Sequence, residues 1–241
     1  MQKKKNYAGK LYLIPNLLNE NNTPSDFIPN SVLQVISKLD TYIVEDLRTA
    51  RRFLSKTKVA KAIDDIKFVE LNKHTELREI SKFLDLLKDK DVGIISEAGC
   101  PSIADPGANV VALAHDNDIK VIPLVGPSSI LLSMMASGMN GQSFAFHGYL
   151  PIEKRDKTYK IKELETLAKK HQQAQIFIEA PYRNDKLYHD IIETCHPDTK
   201  LCISSNLHDK KQFIKTKTIR DWKAGNFVSL HKIPTVFIIG L

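Results

Sequence analysis

Short apolar runs alternate with helical patterns along the first half of the chain. The runs are rich in Val, Ile and Leu, as strands are, and the segments between them repeat apolar residues at helical spacing. In one such segment, Ile80, Phe83 and Leu87 share a helical face. This alternation predicts a mainly parallel sheet with helices on both sides. The predicted strands are 11–15, 41–44, 67–70, 92–96 and 121–124, and the predicted helices are 29–39, 49–55, 75–87 and 104–117.

The second half of the chain has a different order of elements. Strands 201–204 and 213–216 are too close in sequence for a crossover helix, so we expect an antiparallel pair there. The fold class is therefore α/β with two α/β domains: 1–125 with a mainly parallel sheet, and 126–241 with a mixed sheet. The other predicted strands are 144–149, 175–179 and 235–239, and the predicted helices are 129–137, 156–170 and 183–194.

One long segment, 121–146, contains no charged residue. Pro123, Gly126 and Pro127 interrupt it, whereas a membrane-spanning helix needs about 20 predominantly apolar residues. We therefore predict a buried strand, a turn and a buried helix, and no membrane partner. The basic N-terminus is followed by an apolar run, 11–14, that is too short for the core of a signal peptide.

Composition narrows the class of protein. A hydrophobic content of 42% and a charged content of 26% are typical of an ordinary globular protein. Cys100, Cys195 and Cys202 lack the spacing of a disulfide framework or a zinc site, so we expect no metal and a reduced, cytoplasmic setting. Residues 151–241 carry 17 Lys and Arg against 11 Asp and Glu. A phosphate-rich partner would use such an excess, and a solvated lysine-rich surface is the alternative.

Two turns of small residues follow predicted strands. The first, 96–107, follows strand 92–96, and the second, 125–129, follows strand 121–124. Open α/β sheets bind ligands at the carboxyl ends of their strands, and small residues let the backbone approach a ligand closely. The two turns predict one shared small-molecule site. Asp105 is expected to cap the helix that follows the first turn.

Polar side chains follow two other strands. Asp46 and Arg48 could orient a ligand or a phosphate, or they could be an N-cap and a solvated helix face. Glu179 ends an apolar strand, where burial disfavours the charged form and makes a carboxyl group a candidate acid or base. The alternatives for Glu179 are an ion pair with Arg183 or a cap for the next helix.

Several common motifs are absent from the sequence. It has no glycine-rich dinucleotide fingerprint, P-loop, nucleophile elbow or zinc-protease motif. The histidines show no metal-ligand spacing, and only His74, just past a predicted strand, is singled out for a functional role. Cys100 lies in the first ligand turn, either as a nucleophile or as a small packing residue.

Five motifs follow one another along nearly the whole chain. They are Glu45-Asp46-Leu47-Arg48 with Arg51, 96–101 with 104–107, 126–129 with 136–138, 144–151, and 177–183. In this order they resemble the tetrapyrrole-methylase superfamily, and within it most resemble the branch of the small-subunit ribosomal RNA cytidine 2′-O-methyltransferases. The resemblance implies two α/β domains with S-adenosyl-L-methionine in the cleft between them, and a homodimer.

The resemblance also implies roles for individual residues. Glu179 would position the acceptor or act as a base, and Asp46 and Arg48 would orient the acceptor or a phosphate. The residues expected to contact the cofactor are Pro15, Ala98, Gly99, Cys100, Ile103, Ser128, Ser129, Glu179 and Pro234. The basic residues after 149–151 are expected to contact the RNA backbone: Lys154, Arg155, Lys157 and Lys160.

These observations predict an S-adenosylmethionine-dependent methyltransferase that acts on RNA, at a ribose hydroxyl of ribosomal RNA. The chain departs from the family pattern at 15–30, which lacks glycine, and at 205–208, which has lost an Arg-Glu pair. These departures indicate a diverged paralogue. Two alternatives stay open: methylation of a small tetrapyrrole-like molecule, and a non-catalytic RNA- or ribosome-binding protein.

Overall fold

The computed structural model describes residues 7–71, 75, 77–226 and 229–241. The chain divides into two compact units, Met1–Ser128 (unit 1) and Ser129–Leu241 (unit 2). The sequence placed the domain boundary between residues 125 and 126, close to this division. Each unit has its own sheet and its own apolar cores.

The sheet of unit 1 is parallel throughout its described strands, as predicted. Its strand order is β3-β2-β4-β1-β5. The strands are β1 (Leu11–Ile14), β2 (Thr41–Val44), β3 (Lys67–Glu70), β4 (Val92–Ile95) and β5 (Val121–Pro123).

Helices cover both faces of this sheet. Along β2 the side chains alternate, so Tyr42 and Val44 pack in one core and Ile43 in the other. The helices are α1 (Pro24–Phe27), α2 (Asn30–Ile36), α3 (Leu47–Thr57), α4 (Leu77–Ile80) and α5 (Gly107–Asp116), with 3-10 turns at Ile63–Asp65 and Ser81–Leu87. The short helix α1 was not predicted, and the predicted helix 29–39 ends earlier, at Ile36.

The predicted helix 75–87 is α4 followed by a 3-10 segment, so a single α-helix was wrong. The apolar face was predicted correctly, because Ile80, Phe83 and Leu87 are all buried. A 3-10 helix also brings every third residue to one side, so this spacing did not distinguish the two helix types.

Helix α5 begins at Gly107, later than the predicted start at residue 104. Ser102 and Ala104 have φ angles of 68° and 60°, a left-handed conformation that a right-handed helix excludes. Pro106 is the N-cap residue, so the prediction for Asp105 was wrong by one position. The Asp105 carboxylate still accepts hydrogen bonds from the N–H groups of Ser102, at 2.8 Å, and Gly107, at 2.7 Å.

The sheet of unit 2 is mixed, with strand order β6-β7-β10-β8-β9. Strands β6 and β7 are parallel, and the other neighbouring pairs, including the predicted pair β8 and β9, are antiparallel. The strands are β6 (Phe144–Tyr149), β7 (Ala174–Ile178), β8 (Lys200–Ser205), β9 (Phe213–Thr218) and β10 (Thr235–Gly240). The helices are α6 (Ser129–Ser137), α7 (Lys154–His171), α8 (Asn184–Thr194) and α9 (Ile219–Ala224), with a 3-10 turn at Pro181–Arg183.

Helix α9 was not predicted, although its N-cap has a recognisable signal. Thr218 accepts a hydrogen bond from the N–H of Asp221 at 3.1 Å. Helices cover both faces of this sheet too: Phe177 packs in one core with Leu164 and Leu187, and Ile176 packs in the other with Met134.

The uncharged segment 121–146 is less buried than predicted. Strand β5 lies at the edge of its sheet and is partly exposed. On α6, Met134 is buried, but Leu131 and Met135 are 52% and 79% exposed. The prediction of a buried strand and a buried helix was therefore wrong, because α6 packs against its sheet with one side only.

Candidate functional site

Three strand-end turns of unit 1 lie together, and Asn16 joins two of them. The N–H of Asn16 donates to the carbonyl oxygen of Gly99 at 2.8 Å. Its side-chain amide donates to the carbonyl oxygens of Ser96 and Glu97, both at 3.0 Å. The Cys100 thiol in turn lies 3.5 Å from the carbonyl oxygen of Pro127. We call Pro15–Asn16, 96–100 and 126–127 the turn cluster, and from here on we number its turns first, second and third in that order.

Two glycines allow the close approach within the turn cluster. A Cβ atom on Gly126 would lie 2.2 Å from Cγ of Pro15, so only glycine fits there without displacement. Gly99 has a φ angle of 68°, which glycine adopts without the strain of other residues. The structure thus brings together Pro15, Gly99 and Cys100, which were predicted separately as cofactor contacts.

The predicted cofactor contacts of unit 1 differ in exposure. Ala98 is exposed and Ile103 is 52% exposed, whereas Pro15 and Gly99 are buried. Burial raises the pKa of the Cys100 thiol, so the thiol stays protonated at neutral pH. A thiol that stays protonated is a poor nucleophile, so this result favours the interpretation of Cys100 as a small packing residue.

Ser128 and Ser129 are the two cofactor contacts predicted in the third turn, and along the chain they stand on either side of the division between the units. Ser128 is partly buried and follows Pro127 directly, as the last residue of unit 1. Ser129 is partly buried and begins α6 of unit 2.

Two carboxyl groups lie beside the second turn and were not predicted as site residues. Glu45 accepts a hydrogen bond from the N–H of Glu97 at 3.1 Å, and with Asp105 it lines a small cavity at the carboxyl ends of β2 and β4. Burial raises the pKa of Glu45, and the negative charges of Glu97 and Asp105 raise it further. Burial also raises the pKa of Asp105. This side of the turn cluster therefore carries three neighbouring carboxyl groups, those of Glu45, Glu97 and Asp105, and burial disfavours the charged form of Glu45 and Asp105.

Asp46 is the N-cap residue of α3. Its carboxylate accepts a hydrogen bond from the N–H of Thr49 at 2.7 Å, and hydrogen bonds from the side chain and the N–H of Thr49 lower the pKa of Asp46. Arg48, the second residue of the helix, is exposed. The alternative weighed for the pair, an N-cap before a solvated helix face, is therefore present. A role toward an acceptor or a phosphate stays a prediction.

In unit 2, Glu179 belongs to a buried group of charges. Its side chain is 0% exposed, and one carboxylate oxygen accepts hydrogen bonds from Nε and Nη2 of Arg183, at 2.9 Å and 2.6 Å. The same oxygen accepts from the N–H of Ala180 at 2.8 Å. The ion pair weighed as an alternative is thus formed, and a role for Glu179 toward cofactor or acceptor stays a prediction.

Lys157 completes this group from helix α7. Its ammonium nitrogen lies 3.7 Å from Oε2 of Glu179 and 3.6 Å from Oδ2 of Asp190, and its side chain is 1% exposed. We call Lys157, Glu179, Arg183 and Asp190 the charge cluster. The charges of its two cations balance those of its two carboxylates. Buried charged groups need such partners, because an unpaired charge away from water is costly.

The prediction that Lys157 contacts an RNA backbone was wrong. The charge of Lys157 is used inside the protein, because its side chain packs on the buried face of α7. Lys154 and Arg155 are exposed, as a backbone contact requires. Lys160 is partly exposed and forms an ion pair with Glu163 at 3.1 Å.

Pro234, the last predicted cofactor contact, is exposed and directly precedes β10. Since β10 runs antiparallel to β7, its beginning lies beside the end of β7, which leads into Glu179. The carbonyl oxygen of Pro234 accepts a hydrogen bond from the N–H of Asn206 at 3.1 Å. The altered segment 205–208 therefore lies at the same edge of this sheet.

The two residues that hold these clusters together were missed or misread from the sequence. Lys157 had a signal, since Lys157, Ile161 and Leu164 follow one another at the spacing of a buried helical face. Asn16 had only its position after β1, and side-chain bonds to residues about 80 positions away leave no local pattern. His74 lies outside the described residues.

Within the described ranges, no group of three or more His, Cys, Asp and Glu residues could hold a metal ion. No described helix combines the length and the apolar character needed to cross a membrane. Cys100, Cys195 and Cys202 are free thiols.

Solved structures share this fold. The methyltransferase CobJ matches with a TM-score of 0.62 at 14% identity, over 97% of this chain and 94% of that chain. Uroporphyrin-III C-methyl transferase from Thermus thermophilus, complexed with S-adenyl homocysteine, matches with a TM-score of 0.56 at 11% identity, over 96% and 97% of the two chains. The fold is that of the tetrapyrrole-methylase class.

Curated relatives identify the family within that class. Ribosomal RNA small subunit methyltransferase I of Thermotoga maritima is 34% identical over 162 residues, which cover 67% of this chain and 68% of the relative. The protein of the same name from Vibrio cholerae serotype O1 is 27% identical over 203 residues, or 84% of this chain. The chain belongs to the family of ribosomal RNA small subunit methyltransferase I. No family model matches it.

The match does not extend over the full length of all relatives. It covers 66% of the Vibrio cholerae protein. It covers 57% of the Bacillus subtilis protein of the same name, which is 33% identical over 183 residues.

Proposed function

We propose that this protein is an S-adenosylmethionine-dependent methyltransferase that acts on ribosomal RNA at a ribose 2′-hydroxyl. Its relatives are named as methyltransferases of small-subunit ribosomal RNA. The observation that carries the proposal is the turn cluster, in which Asn16 holds together turns that the family resemblance assigns to the cofactor. The excess of basic residues in 151–241 suits an RNA substrate.

The residues of the turn cluster fit this cofactor. S-adenosylmethionine carries a sulfonium and an ammonium cation, and the carboxyl groups of Glu45 and Asp105 lie beside the second turn, where a nearby cation would favour their charged form. Exposed Ala98 leaves the backbone of that turn accessible. When bound, the cofactor supplies an electrophilic methyl group. The residues proposed to hold it are Pro15, Ala98, Gly99, Cys100, Ile103, Ser128, Ser129, Glu179 and Pro234.

The protein's own part in the reaction is to orient the acceptor hydroxyl. Asp46 caps α3 and thereby fixes the helix turn that presents Arg48, whose exposed guanidinium can bind a phosphate. We assign Glu179 a positioning role, because its carboxylate is buried and holds Arg183 and the N–H of Ala180. Exposed Lys154 and Arg155 are assigned to the RNA backbone.

We propose that the protein acts in the cytoplasm, without a membrane partner, and as a homodimer. Its free cysteines suit a reducing compartment. The homodimer rests on the family resemblance. Light scattering of the purified protein measures its mass directly, and a monomer at working concentration would refute the dimer.

The first experiment is calorimetry with S-adenosylmethionine and S-adenosylhomocysteine. We expect binding in the micromolar range, and then transfer of a tritiated methyl group to ribosomal subunits or free ribosomal RNA. Alkaline hydrolysis locates the product, because a 2′-O-methyl group blocks cleavage of the adjacent phosphodiester. Absence of cofactor binding would overturn the enzyme assignment.

A matched pair of variants tests whether the turn cluster holds the cofactor. Ala98→Leu places a larger side chain on the exposed second turn, and Ala108→Leu makes the same change at an exposed position of α5. We expect Ala98→Leu to lower cofactor affinity by about tenfold or more, which corresponds to about 1.4 kcal/mol. Ala108→Leu should bind as the wild type does. Equal cofactor affinity of the wild type and both variants would exclude a role of the second turn in cofactor binding.

Cofactor calorimetry, methyl transfer to RNA and the binding of a porphyrinoid together distinguish the two other candidate functions. Cofactor binding without methyl transfer to any RNA would favour the non-catalytic paralogue. Tight porphyrinoid binding, with methylation of that ligand, would favour the small-molecule enzyme.

A further inference from the structure

Two exposed tyrosines lie at one edge of the unit 2 sheet. Tyr149 ends β6 and is 58% exposed, and Tyr182 lies in the 3-10 turn after β7 and is 60% exposed. Strands β6 and β7 are parallel neighbours, with Tyr149 opposite Ile178. Both tyrosines therefore belong to the carboxyl ends of adjacent strands.

A cation, the guanidinium of Arg183, lies against one side of the Tyr182 ring and is itself held in place by hydrogen bonds. The guanidinium carbon of Arg183 lies over the ring, 5.3 Å from its centre. Hydrogen bonds to the buried carboxylate of Glu179 hold that guanidinium and raise the pKa of Arg183. With Arg183 over one side of the ring and the residue largely exposed, the other side of Tyr182 faces solvent.

Two backbone features set the position of these tyrosines. The register of β6 shifts between Phe146 and Tyr149, where Gly148 has a φ angle of 64°. Such a bulge re-aims the side chain that follows it, and Tyr149 lies close enough to Arg183 to act on it electrostatically. The carbonyl oxygen of Pro181 accepts a hydrogen bond from the N–H of Lys232 at 2.9 Å, which joins the turn of Tyr182 to the loop before β10.

We propose that the outer side of Tyr182, backed by Arg183 and flanked by Tyr149, is a stacking platform for an unpaired base of single-stranded RNA. Aromatic rings and guanidinium planes stack on bases of any sequence, and neighbouring basic residues attract the phosphates. Exposed Lys154 and Arg155 follow Tyr149 closely along the chain. A ring that is already held in place binds with less loss of conformational entropy.

This proposal rests on the RNA substrate proposed above, and it names the part of that substrate that unit 2 holds. The charge cluster thereby has a function. The buried carboxylate of Glu179 positions Arg183, and Arg183 in turn supports the surface on which the base stacks.

The test compares two labelled RNA ligands with the same phosphates. One is a single strand of about 12 nucleotides, a length within the range that such surfaces bind, and the other has abasic sugars at its central positions. Fluorescence anisotropy gives the ratio of the two affinities for each protein. We expect the wild type to prefer the intact strand about tenfold, and Tyr182→Ala to lose that preference.

Three controls separate stacking from other effects. Tyr182→Phe keeps the ring and should keep the preference. Tyr159→Ala removes a tyrosine that is 73% exposed and lies about 200° around α7 from buried Lys157, and it should behave as the wild type does. Thermal unfolding of each variant shows whether the protein still folds, which we expect because substitutions at exposed positions have small effects.

The possible outcomes are distinguishable from failure of the proposed function. An unchanged preference in Tyr182→Ala, or no preference in the wild type, would overturn the platform and leave RNA methylation standing. A wild type that binds neither RNA would also overturn the platform. Cofactor calorimetry and methyl transfer to ribosomal subunits would then decide the methyltransferase assignment separately.

Discussion

The turn cluster of unit 1 and the charge cluster of unit 2 both hold strand ends in place, but they do so with different kinds of interaction. Each lies at strand ends where we propose that a ligand binds. The turn cluster uses a neutral amide, Asn16, and small residues, whereas the charge cluster uses two cations and two carboxylates, of which only Arg183 is appreciably exposed. A neutral amide that loses its partners costs less than a buried charge that does. The two clusters should therefore respond very differently to single substitutions.

Lys157→Met should have the largest effect. The substitution keeps most of the side-chain volume but leaves Glu179 and Asp190 buried near each other with one cation fewer. We expect a loss of about 3–5 kcal/mol in the free energy of unfolding, measured by urea denaturation. Lys162→Met, at an exposed position on the same helix, should change it by less than about 0.5 kcal/mol. A small effect of Lys157→Met would mean that the charge cluster does not stabilise unit 2.

Asn16→Ala should have an intermediate effect. It removes the side-chain bonds to Ser96 and Glu97 and leaves a buried N–H, that of Leu17, without its acceptor. We expect a loss of about 2 kcal/mol in the free energy of unfolding, with a fall in cofactor affinity in calorimetry. Asn21→Ala, in the exposed part of the same loop, serves as the control. Unchanged cofactor affinity in folded Asn16→Ala would separate the turn cluster from cofactor binding.

Asp46→Ala should have a smaller effect than Lys157→Met or Asn16→Ala, and the sign of its pH dependence follows from the lowered pKa of Asp46. Loss of the N-cap costs about 1 kcal/mol, and Asp46→Asn should retain most of it. Because its pKa is lowered in the folded protein, the carboxylate contributes its full stabilisation above its unfolded pKa of about 3.9. That contribution is lost as the pH falls through the lowered pKa of the folded state. The deficit of Asp46→Ala should accordingly be full at pH 7 and shrink below about pH 4.

Asp64→Ala provides the comparison for that pH series. Asp64 pairs with Arg51 at 3.2 Å, but its side chain is 96% exposed. We expect a smaller loss of stability, below about 0.5 kcal/mol, because water and salt screen such a pair. An Asp46→Ala deficit that stays constant down to pH 2 would rule out the charged cap.

Much of the fold was predictable because strands and turns leave local patterns. The strands of both sheets, and the parallel and mixed character of the sheets, followed from apolar runs and from the spacing between them. The helices were less predictable where local spacing was ambiguous, as in the 3-10 segment Ser81–Leu87, or where a turn reversed the backbone, as at Ser102 and Ala104.

The residues of the candidate site also divide into those that local sequence patterns predicted and those that they did not. Gly99 and Glu179 were recognisable because each lies at the end of an apolar strand and within a family motif. The role of Lys157 was misread, because a lysine in a basic run has the same local appearance whether it faces solvent or two carboxylates. Its partners come from β7 and α8, and only packing reveals them.

By itself, the sequence determined the α/β class and the family, and it indicated the strand ends at which candidate ligand-binding residues lie, since apolar periodicity and small-residue turns act over a few residues. Tertiary structure alone decided that Asn16 joins the turn cluster, that Lys157 is buried and that Tyr182 stacks on a fixed Arg183. The physical reason is that hydrogen bonds and ion pairs depend on distances in space. Contacts between residues far apart along the chain are set only when the sheets and helices have packed.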